Sequence, residues 1–271
     1  MKLAYTVGMP DTRGKMLAYC GGSFSEVCAR LKDIGYSGLE LFVRDPAELD
    51  LREILSAIER YDLEVAAVGT GPIVSEDKLT FTSTDEAVRA AAIKRTKAVV
   101  DFAAQFGTQV NVGKLRGDVN TGNFDQSKEW MRHAFQTVCS HARAKGVNIT
   151  IEPQNRFVIN NLNTTQQAMA WLRELALPNL FLMLDVFHMN IEDSSIIASL
   201  IEAKEVTIHL HFAENNRGVP GDGHIDFPEI VRALNALRYD RYVSLEIDQI
   251  PDSYHAAKAS FHYLHSILKE D

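Results

Sequence analysis

The chain has 271 residues, of which 46% are hydrophobic and 24% charged, and its formal net charge is −8. This composition is typical of a globular protein, and an acidic chain without a Lys/Arg run argues against nucleic acid or an anionic membrane surface as a partner. Three scattered cysteines form no CxxC pair, which fits a reducing compartment. No apolar run approaches the roughly 18 residues of a transmembrane helix, and the N-terminus lacks a signal-peptide core. We therefore expect a cytoplasmic protein that contacts no membrane.

Short strand-like segments alternate with longer segments of helical period along the chain. The predicted strands are residues 2–7, 38–43, 64–68, 109–112, 147–151, 180–184, 206–211 and 242–245. The predicted helices are residues 23–31, 50–61, 84–106, 125–145, 164–175, 194–203, 227–237 and 253–269. Ser23 and Glu26 form a plausible capping box for the first helix, and Thr84 is placed to cap the third.

Eight strand–helix pairs determine the predicted fold. Strands that alternate with helices imply right-handed crossovers and a parallel sheet. Eight such units fit a closed barrel better than an open doubly wound sheet. No GxGxxG or GxxxxGK[ST] motif follows the first strand, so a dinucleotide or phosphate loop has no support. Without a composition break to mark a linker, we predict an α/β fold, a (β/α)8 TIM barrel, as one domain over residues 1–271.

The last four predicted strands each lead into an acidic or imidazole side chain: Glu152, Asp185, His211 and Glu246. Functional side chains of such barrels lie at the carboxyl ends of the strands, so these four are expected to face one point. Any one of them could be a helix cap or an ion-pair partner. Four together would repel one another, and a cation is the natural compensation. Three carboxylates and one imidazole suit Mn²⁺, Mg²⁺ or Co²⁺ better than a thiolate-bound zinc, so we predict one divalent ion, with Mn²⁺ favoured.

Several motifs resemble one known family. They are EPQNR at 152–156, LDVFHMNIE at 184–192, HLHFAENNRGVPGDGHIDF at 209–227 and SLEI at 244–247. These segments are similar to the xylose-isomerase-like barrel superfamily of sugar isomerases and epimerases. The likeness is greatest to ketose 3-epimerases of the D-tagatose and D-psicose 3-epimerase type, with inosose and hydroxypyruvate isomerases more distant. Residues 83–107 also resemble the family's third helix, so the likeness covers most of the chain.

The resemblance implies roles for individual residues. It makes the four strand-end residues the metal ligands, and Glu152 and Glu246 also the acid/base pair. His188 and Arg217 match residues that contact the substrate's oxygens. Val158 is a departure, because related epimerases often carry a second Glu there, and this leaves the identity of the sugar open. The family also implies a dimer or tetramer.

The expected reaction removes a proton from the carbon next to a ketone, through an enediolate stabilised by the metal ion. Two glutamates on opposite sides of a free ketose would remove and return the C3 proton, which is epimerisation. Return of the proton to the neighbouring carbon would instead give an aldose–ketose or hydroxypyruvate-type isomerase. Loss of a β-hydroxyl would give an inosose dehydratase. The predicted partner is therefore a small sugar or keto-acid.

Two further functions use the same fold. A DNA repair enzyme of the endonuclease IV type would need several zinc ions, more histidine ligands and a basic surface. A non-catalytic sugar-binding barrel would not need the Glu152/Glu246 pair. Of the remaining polar residues, we expect His209 to support the site or lie in a polar core, Glu214 to be a positioning or salt-bridge residue in its loop, and His224 to lie at the surface or pocket rim.

Overall fold

Eight parallel strands form a closed barrel in the computed structural model, which describes residues 1–14 and 16–268. Each strand pairs with its neighbours in chain order, and the last pairs with the first. The strands are β1 (Lys2–Gly8), β2 (Gly38–Phe42), β3 (Glu64–Gly69), β4 (Gln109–Val112), β5 (Ile149–Ile151), β6 (Leu180–Asp185), β7 (Thr207–Phe212) and β8 (Tyr242–Leu245). The predicted (β/α)8 TIM barrel is confirmed.

The helices lie in the connections between strands and after the last strand. They are α1 (Phe24–Ile34), α2 (Leu51–Arg60), α3 (Gly71–Ser75), α4 (Glu86–Ala103), α5 (Phe124–Ala144), α6 (Thr165–Leu175), α7 (Val186–Glu192), α8 (Ile196–Ala203), α9 (Phe227–Ala236) and α10 (Ser253–Leu268). The eight predicted helices are present with small changes at their ends, and Lys269, the predicted end of the last, lies outside the described residues. The short helices α3 and α7 were not predicted, and α7 carries part of the site.

Local side-chain contacts fix where the helices begin. The capping box of α1 is confirmed, since the backbone N–H of Ser23 donates to Glu26 Oε2 at 2.7 Å and Glu26 N–H donates back to Ser23 Oγ at 3.3 Å. The predicted cap of α4 is wrong by one residue. Asp85, not Thr84, is the N-cap, because its Oδ1 accepts from Ala87 N–H at 2.8 Å. A cap needs a side-chain oxygen within reach of the first free N–H groups, and Asp85 supplies it.

Two features of the sheet position the site. Apolar residues of the strands and the inner helix faces form one continuous core, as expected for strands covered by helices. Between β6 and β7 the register shifts at Leu182/Met183, and beyond the shift Asp185 stands opposite His211. Such a bulge re-aims the side chains that follow it. Among the described residues, no helix is both long and apolar enough to span a membrane.

Candidate metal and active site

The four predicted ligands meet at the carboxyl end of the barrel. Glu152 directly follows β5, Asp185 ends β6, His211 is next to last in β7, and Glu246 directly follows β8. One ligand atom from each lies within 4.8 Å of the others. Three of the side chains are buried, and that of Glu246 is 14% exposed, so the cluster lies at the floor of the barrel mouth.

The turn from β6 to α7 fixes the orientation of the Asp185 carboxylate. Its Oδ1 caps α7 by accepting from Phe187 N–H at 2.9 Å. Its Oδ2 is thereby left to face the site, where Arg217 Nη1 donates to it and His188 Nε2 lies 3.8 Å away. Burial alone would raise the pKa of Asp185, but the positive charge of Arg217, with the neighbouring imidazoles, outweighs that effect and lowers it overall. The carboxylate is therefore ionised in the folded protein.

His211 presents one nitrogen to the site and the other to the barrel interior. Its Nε2 lies 2.8 Å from Glu40 Oε2, at hydrogen-bond distance. Its Nδ1 is buried without a hydrogen-bond partner and lies 3.4 Å from Glu246 Oε2. Burial lowers the pKa of His211, and Glu40 outweighs that effect and raises it overall.

Glu152 is held from two sides and still has one free oxygen. The buried Arg116 donates from Nη1 to the backbone carbonyl of Glu152 at 2.8 Å, and Gln154 Nε2 donates to Oε2 at 2.7 Å. Oε1 is buried without a hydrogen-bond partner, 3.6 Å from His188 Nε2. Burial raises the pKa of Glu152 to about 7. A carboxyl in this state can hold or release a proton near neutral pH.

His188 lies on α7 and not on an open loop, and its ring orientation is fixed by Asn155. The Asn155 side-chain amide and backbone N–H lie 2.8 Å and 3.4 Å from His188 Nδ1. Because Asn155 Oδ1 accepts from Phe157 N–H, its amide nitrogen faces the ring and Nδ1 is an acceptor. Burial lowers the pKa of His188 to about 3, so the ring is neutral and carries its proton on Nε2. That N–H is directed towards Glu152 and Asp185.

Arg217 lies inside the cluster. Its two terminal nitrogens donate to Asp185 Oδ2 and Glu246 Oε2, and the guanidinium stacks 4.6 Å from the centre of the Phe187 ring. Its backbone has a φ of +64°, in the left-handed region, and is held by a hydrogen bond from Arg217 N–H to Glu214 O at 2.8 Å. The loop therefore aims this side chain at the carboxylates through a specific backbone conformation.

Glu214 organises that loop, as predicted. It is fully buried, and its carboxylate accepts from the backbone N–H groups of Asn215, Gly221 and Ile225 at 2.9–3.1 Å. These contacts close the segment after β7 into one unit. His224 is exposed, in line with its predicted place at the surface.

The donor set fits one divalent ion. When ionised, the three carboxylates exceed the single guanidinium of Arg217 by two negative charges, which is the charge of one such ion. His211 Nδ1 and Glu152 Oε1 are buried lone pairs without a hydrogen-bond donor. Buried polar atoms normally have partners, so a pair of open acceptors at one point indicates a place for a cation. Mostly oxygen donors with one imidazole are the ligands of Mn²⁺, Mg²⁺ or Co²⁺.

Sequence reasoning missed three supporting residues. Glu40 is a charged side chain within the apolar segment GLELF of β2, and that anomaly could have identified it. Arg116 ends a short 3-10 helix (Lys114–Arg116), and Asn155 lies in the loop after β5 within the quoted EPQNR motif. Nothing in the local pattern shows that either residue supports the site. Val158, the departure from the family pattern, is half-buried in the loop after β5.

Comparison with known proteins supports the sequence resemblance. A family model described as xylose isomerase-like TIM barrel matches residues 28–266. An L-ribulose 3-epimerase from Mesorhizobium japonicum is 31% identical over 80% of this chain and 73% of that protein. A ketose 3-epimerase from Arthrobacter globiformis is 28% identical over 80% of this chain and 75% of that protein.

The crystal structure of a D-allulose 3-epimerase from Methylomonas sp. matches with a TM-score of 0.82 over 99% of this chain and 98% of that one. At 22% identity this match concerns the fold. The family match covers most of the sequence, and the resemblance seen in its motifs is confirmed. This chain belongs to the xylose isomerase-like TIM barrel family.

Proposed function

We propose that the protein is a metal-dependent ketose 3-epimerase that acts on a free ketose. The observation that carries the proposal is the meeting of Glu152, Asp185, His211 and Glu246 at one point, with ligand atoms within 4.8 Å of one another. The relatives named as ketose and L-ribulose 3-epimerases support the choice among the reactions that such a site allows.

The same four residues would hold the metal ion, for which Mn²⁺ is the best candidate and Mg²⁺ or Co²⁺ are alternatives. An ion bound there would act as a Lewis acid on the ketone oxygen and so acidify the neighbouring C–H. Of the four ligand side chains, His211 and Glu152 each have one buried atom, Nδ1 and Oε1, without a hydrogen-bond partner. These two atoms are free to bind an ion, which supports this ligand set.

Glu152 and Glu246 are the proposed acid/base pair. They come from β5 and β8, strands that do not neighbour each other in the barrel, so they approach a bound sugar from different sides. One carboxylate takes the C3 proton, and the other, protonated, gives a proton to the opposite face. Glu152, with its pKa of about 7, can take either part. Positioned acid/base groups typically contribute about 10²–10⁴-fold to a rate.

His188 and Arg217 are the proposed contacts to the substrate's oxygens. His188 offers its Nε2 proton at the floor of the site, because Asn155 occupies Nδ1. Arg217 offers a guanidinium that lies beside Asp185 and Glu246. Donors fixed before the reaction stabilise negative charge that develops on an oxygen without reorganisation.

A substrate screen tests this function. The Mn²⁺-supplemented protein is incubated with ketopentoses, ketohexoses and short keto-acids, and the products are resolved by NMR. We expect interconversion of C3 epimers of at least one free ketose. An aldose product would show isomerisation, and a product lighter by one water would show dehydration. Either result without C3 epimer would overturn the proposal, as would cleavage of abasic DNA in a nicking assay.

A further inference from the structure

A second buried polar cluster lies below the metal ligands, inside the barrel. Glu40, His209 and His211 are almost fully buried, and Glu40 Oε2 lies 2.8 Å from the Nε2 atoms of both histidines. Glu40 comes from β2 and the histidines from β7, and these strands do not neighbour each other. The contacts therefore cross the interior of the barrel, and no pairing of adjacent strands brings them about.

The second carboxylate oxygen of Glu40 is also hydrogen-bonded. Its other oxygen, Oε1, accepts from Asn111 Nδ2 at 2.7 Å, and Asn111 Oδ1 accepts from the Thr150 hydroxyl at 2.5 Å. A hydrogen-bonded chain thus runs from β5 through β4 to β2 and on to β7. Both carboxylate oxygens of Glu40 thus have partners: Oε1 accepts from an amide N–H, and Oε2 lies against two imidazole nitrogens. These contacts give the Glu40 carboxylate a fixed position.

This arrangement decides which nitrogen of His211 carries the proton. A carboxylate can only accept, so the nitrogen that faces it must be the donor. His211 Nε2 therefore carries a proton, and in the neutral ring, the form that binds a metal ion, Nδ1 keeps its lone pair. Nδ1 is the nitrogen that faces Glu246 and lacks a hydrogen-bond partner.

We propose that Glu40 is a positioning residue for the metal site: through the hydrogen bond to His211 Nε2 it fixes the tautomer and the ring orientation that direct Nδ1 at the ion. The inference rests on the proposed function, because it needs a metal ion at the strand-end ligands. A carboxylate behind a metal-bound histidine makes the ring a better donor, and loss of such a partner typically lowers metal affinity by about 10–100-fold.

Two substitutions of Glu40 separate the contribution of its charge to metal affinity from that of its hydrogen bond. E40Q keeps the shape and one acceptor but removes the charge, whereas E40A removes the acceptor. Thr150→Val is the matched control, because it breaks the same buried chain at Asn111 without touching either histidine. For each metal-free protein we would measure the Mn²⁺ dissociation constant by chelator competition, the bound Mn²⁺ per chain and the melting temperature. Long-range ¹H–¹⁵N NMR spectra would show which ring nitrogen of His211 is protonated.

We expect one Mn²⁺ per chain in the wild type, and a dissociation constant weaker by about tenfold in E40Q and by about 100-fold in E40A. Thr150→Val should stay near the wild-type value. The wild-type spectrum should show the His211 proton on Nε2, and E40A should lose this preference. E40Q keeps the inference testable if E40A does not fold.

Three results would contradict the proposal. Unchanged Mn²⁺ affinity in folded E40Q and E40A, with only the melting temperature lowered, would make Glu40 a structural residue. Two ions per chain in the wild type, one of them lost in E40Q, would make Glu40 a ligand itself. A wild-type protein that binds no Mn²⁺ would overturn the proposed function as well, which separates the failure of the function from that of this inference alone.

Discussion

The two halves of the barrel mouth use charged residues in opposite ways. Around β1 to β3, acidic and basic side chains hold the connecting loops together. At the ends of β5 to β8, acidic side chains converge on one another. The same residue types therefore stabilise the loops on the β1–β3 side of the barrel mouth and form the candidate metal site on the β5–β8 side.

Arg44 and Arg95 organise the first half. Arg44, with its side chain 6% exposed, donates from Nε to Asp11 O at 2.8 Å and pairs with Asp77 at 3.1 Å. Arg95 pairs with Asp77 at 2.7 Å and with Asp45 at 2.8 Å. Each of these acids faces a guanidinium or a backbone N–H, and we call this cluster closed because its acids and cations pair directly. It still contains buried atoms without a hydrogen-bond partner, Asp11 Oδ1 and Glu76 Oε2.

In the second half, two buried ligand atoms lack a hydrogen-bond partner. Among the described residues, Arg217 is the one Lys or Arg whose side chain pairs with these carboxylates, and Glu152 Oε1 and His211 Nδ1 have no hydrogen-bond partner. The second half is thus distinguished by ligand atoms from four strand ends that meet within 4.8 Å with one cation among them, and not by the number of charged residues. Four predictions test this contrast, in order of decreasing effect.

Replacement of Glu246 should have the largest effect. Glu246→Gln keeps the shape but removes the proton acceptor, so we expect kcat to fall by about 10²–10⁴-fold. The assay uses saturating Mn²⁺, with the bound metal measured in parallel. Glu48→Gln is the control, because Glu48 belongs to the closed half, where it pairs with Arg44 Nη2. A Glu246→Gln enzyme that retains more than a tenth of the wild-type kcat would remove Glu246 from the chemistry.

Replacement of Arg44 should affect stability and not metal binding. Arg44→Met removes the buried guanidinium that pairs with Glu48 and leaves Asp77 with Arg95 alone. We expect this to cost about 3 kcal/mol in the free energy of unfolding, the low end of the about 3–5 kcal/mol typical for loss of one partner from a buried pair, because these acids are partly exposed. Urea denaturation of the metal-free protein measures it. A decrease in the free energy of unfolding of less than about 0.5 kcal/mol would show that the closed cluster does not stabilise the loops.

Bound Mn²⁺ should raise the free energy of unfolding only through the four strand-end ligands, which include Asp185. At Mn²⁺ about 100-fold above its dissociation constant, the free energy of unfolding should rise by about 2.7 kcal/mol, because the ion binds the folded state. Arg44→Met should show the same increment and Asp185→Asn should lose most of it. Equal increments in both variants would place the ion elsewhere.

The metal-free protein should lose stability as pH rises from 5 to 8. Folding raises the pKa of Glu152 from 4.5 to about 7, so the folded state holds a proton that the unfolded state has already released. This contribution is complete below about pH 4.5 and disappears as pH rises through 7. We expect a difference of about 2.5 kcal/mol between wild type and Glu152→Gln over this range, given about 1.4 kcal/mol per pKa unit. A wild-type curve parallel to that of Glu152→Gln would contradict the raised pKa.

The sequence predicted the barrel because each strand is a short apolar run and each helix a longer amphipathic segment. It predicted the four strand-end residues for the same reason, since a carboxylate at the end of an apolar strand is conspicuous. The helix α7 was missed because Asp185 is both the end of a strand and a helix cap. The ion pairs of Arg217 were missed because they depend on the backbone conformation of a loop. The contact of Glu40 with β7 crosses the barrel, so local pattern could not reveal it.

The most direct test of the central claim is proton exchange at C3 in D₂O. The Mn²⁺-loaded protein is incubated with a ketose that it converts, and deuterium is located in substrate and product by NMR. We predict one deuterium at C3 of the product epimer, none at C1, and loss of exchange both after metal removal and in Glu246→Gln. Exchange that persists in metal-free protein and in Glu246→Gln would contradict the account.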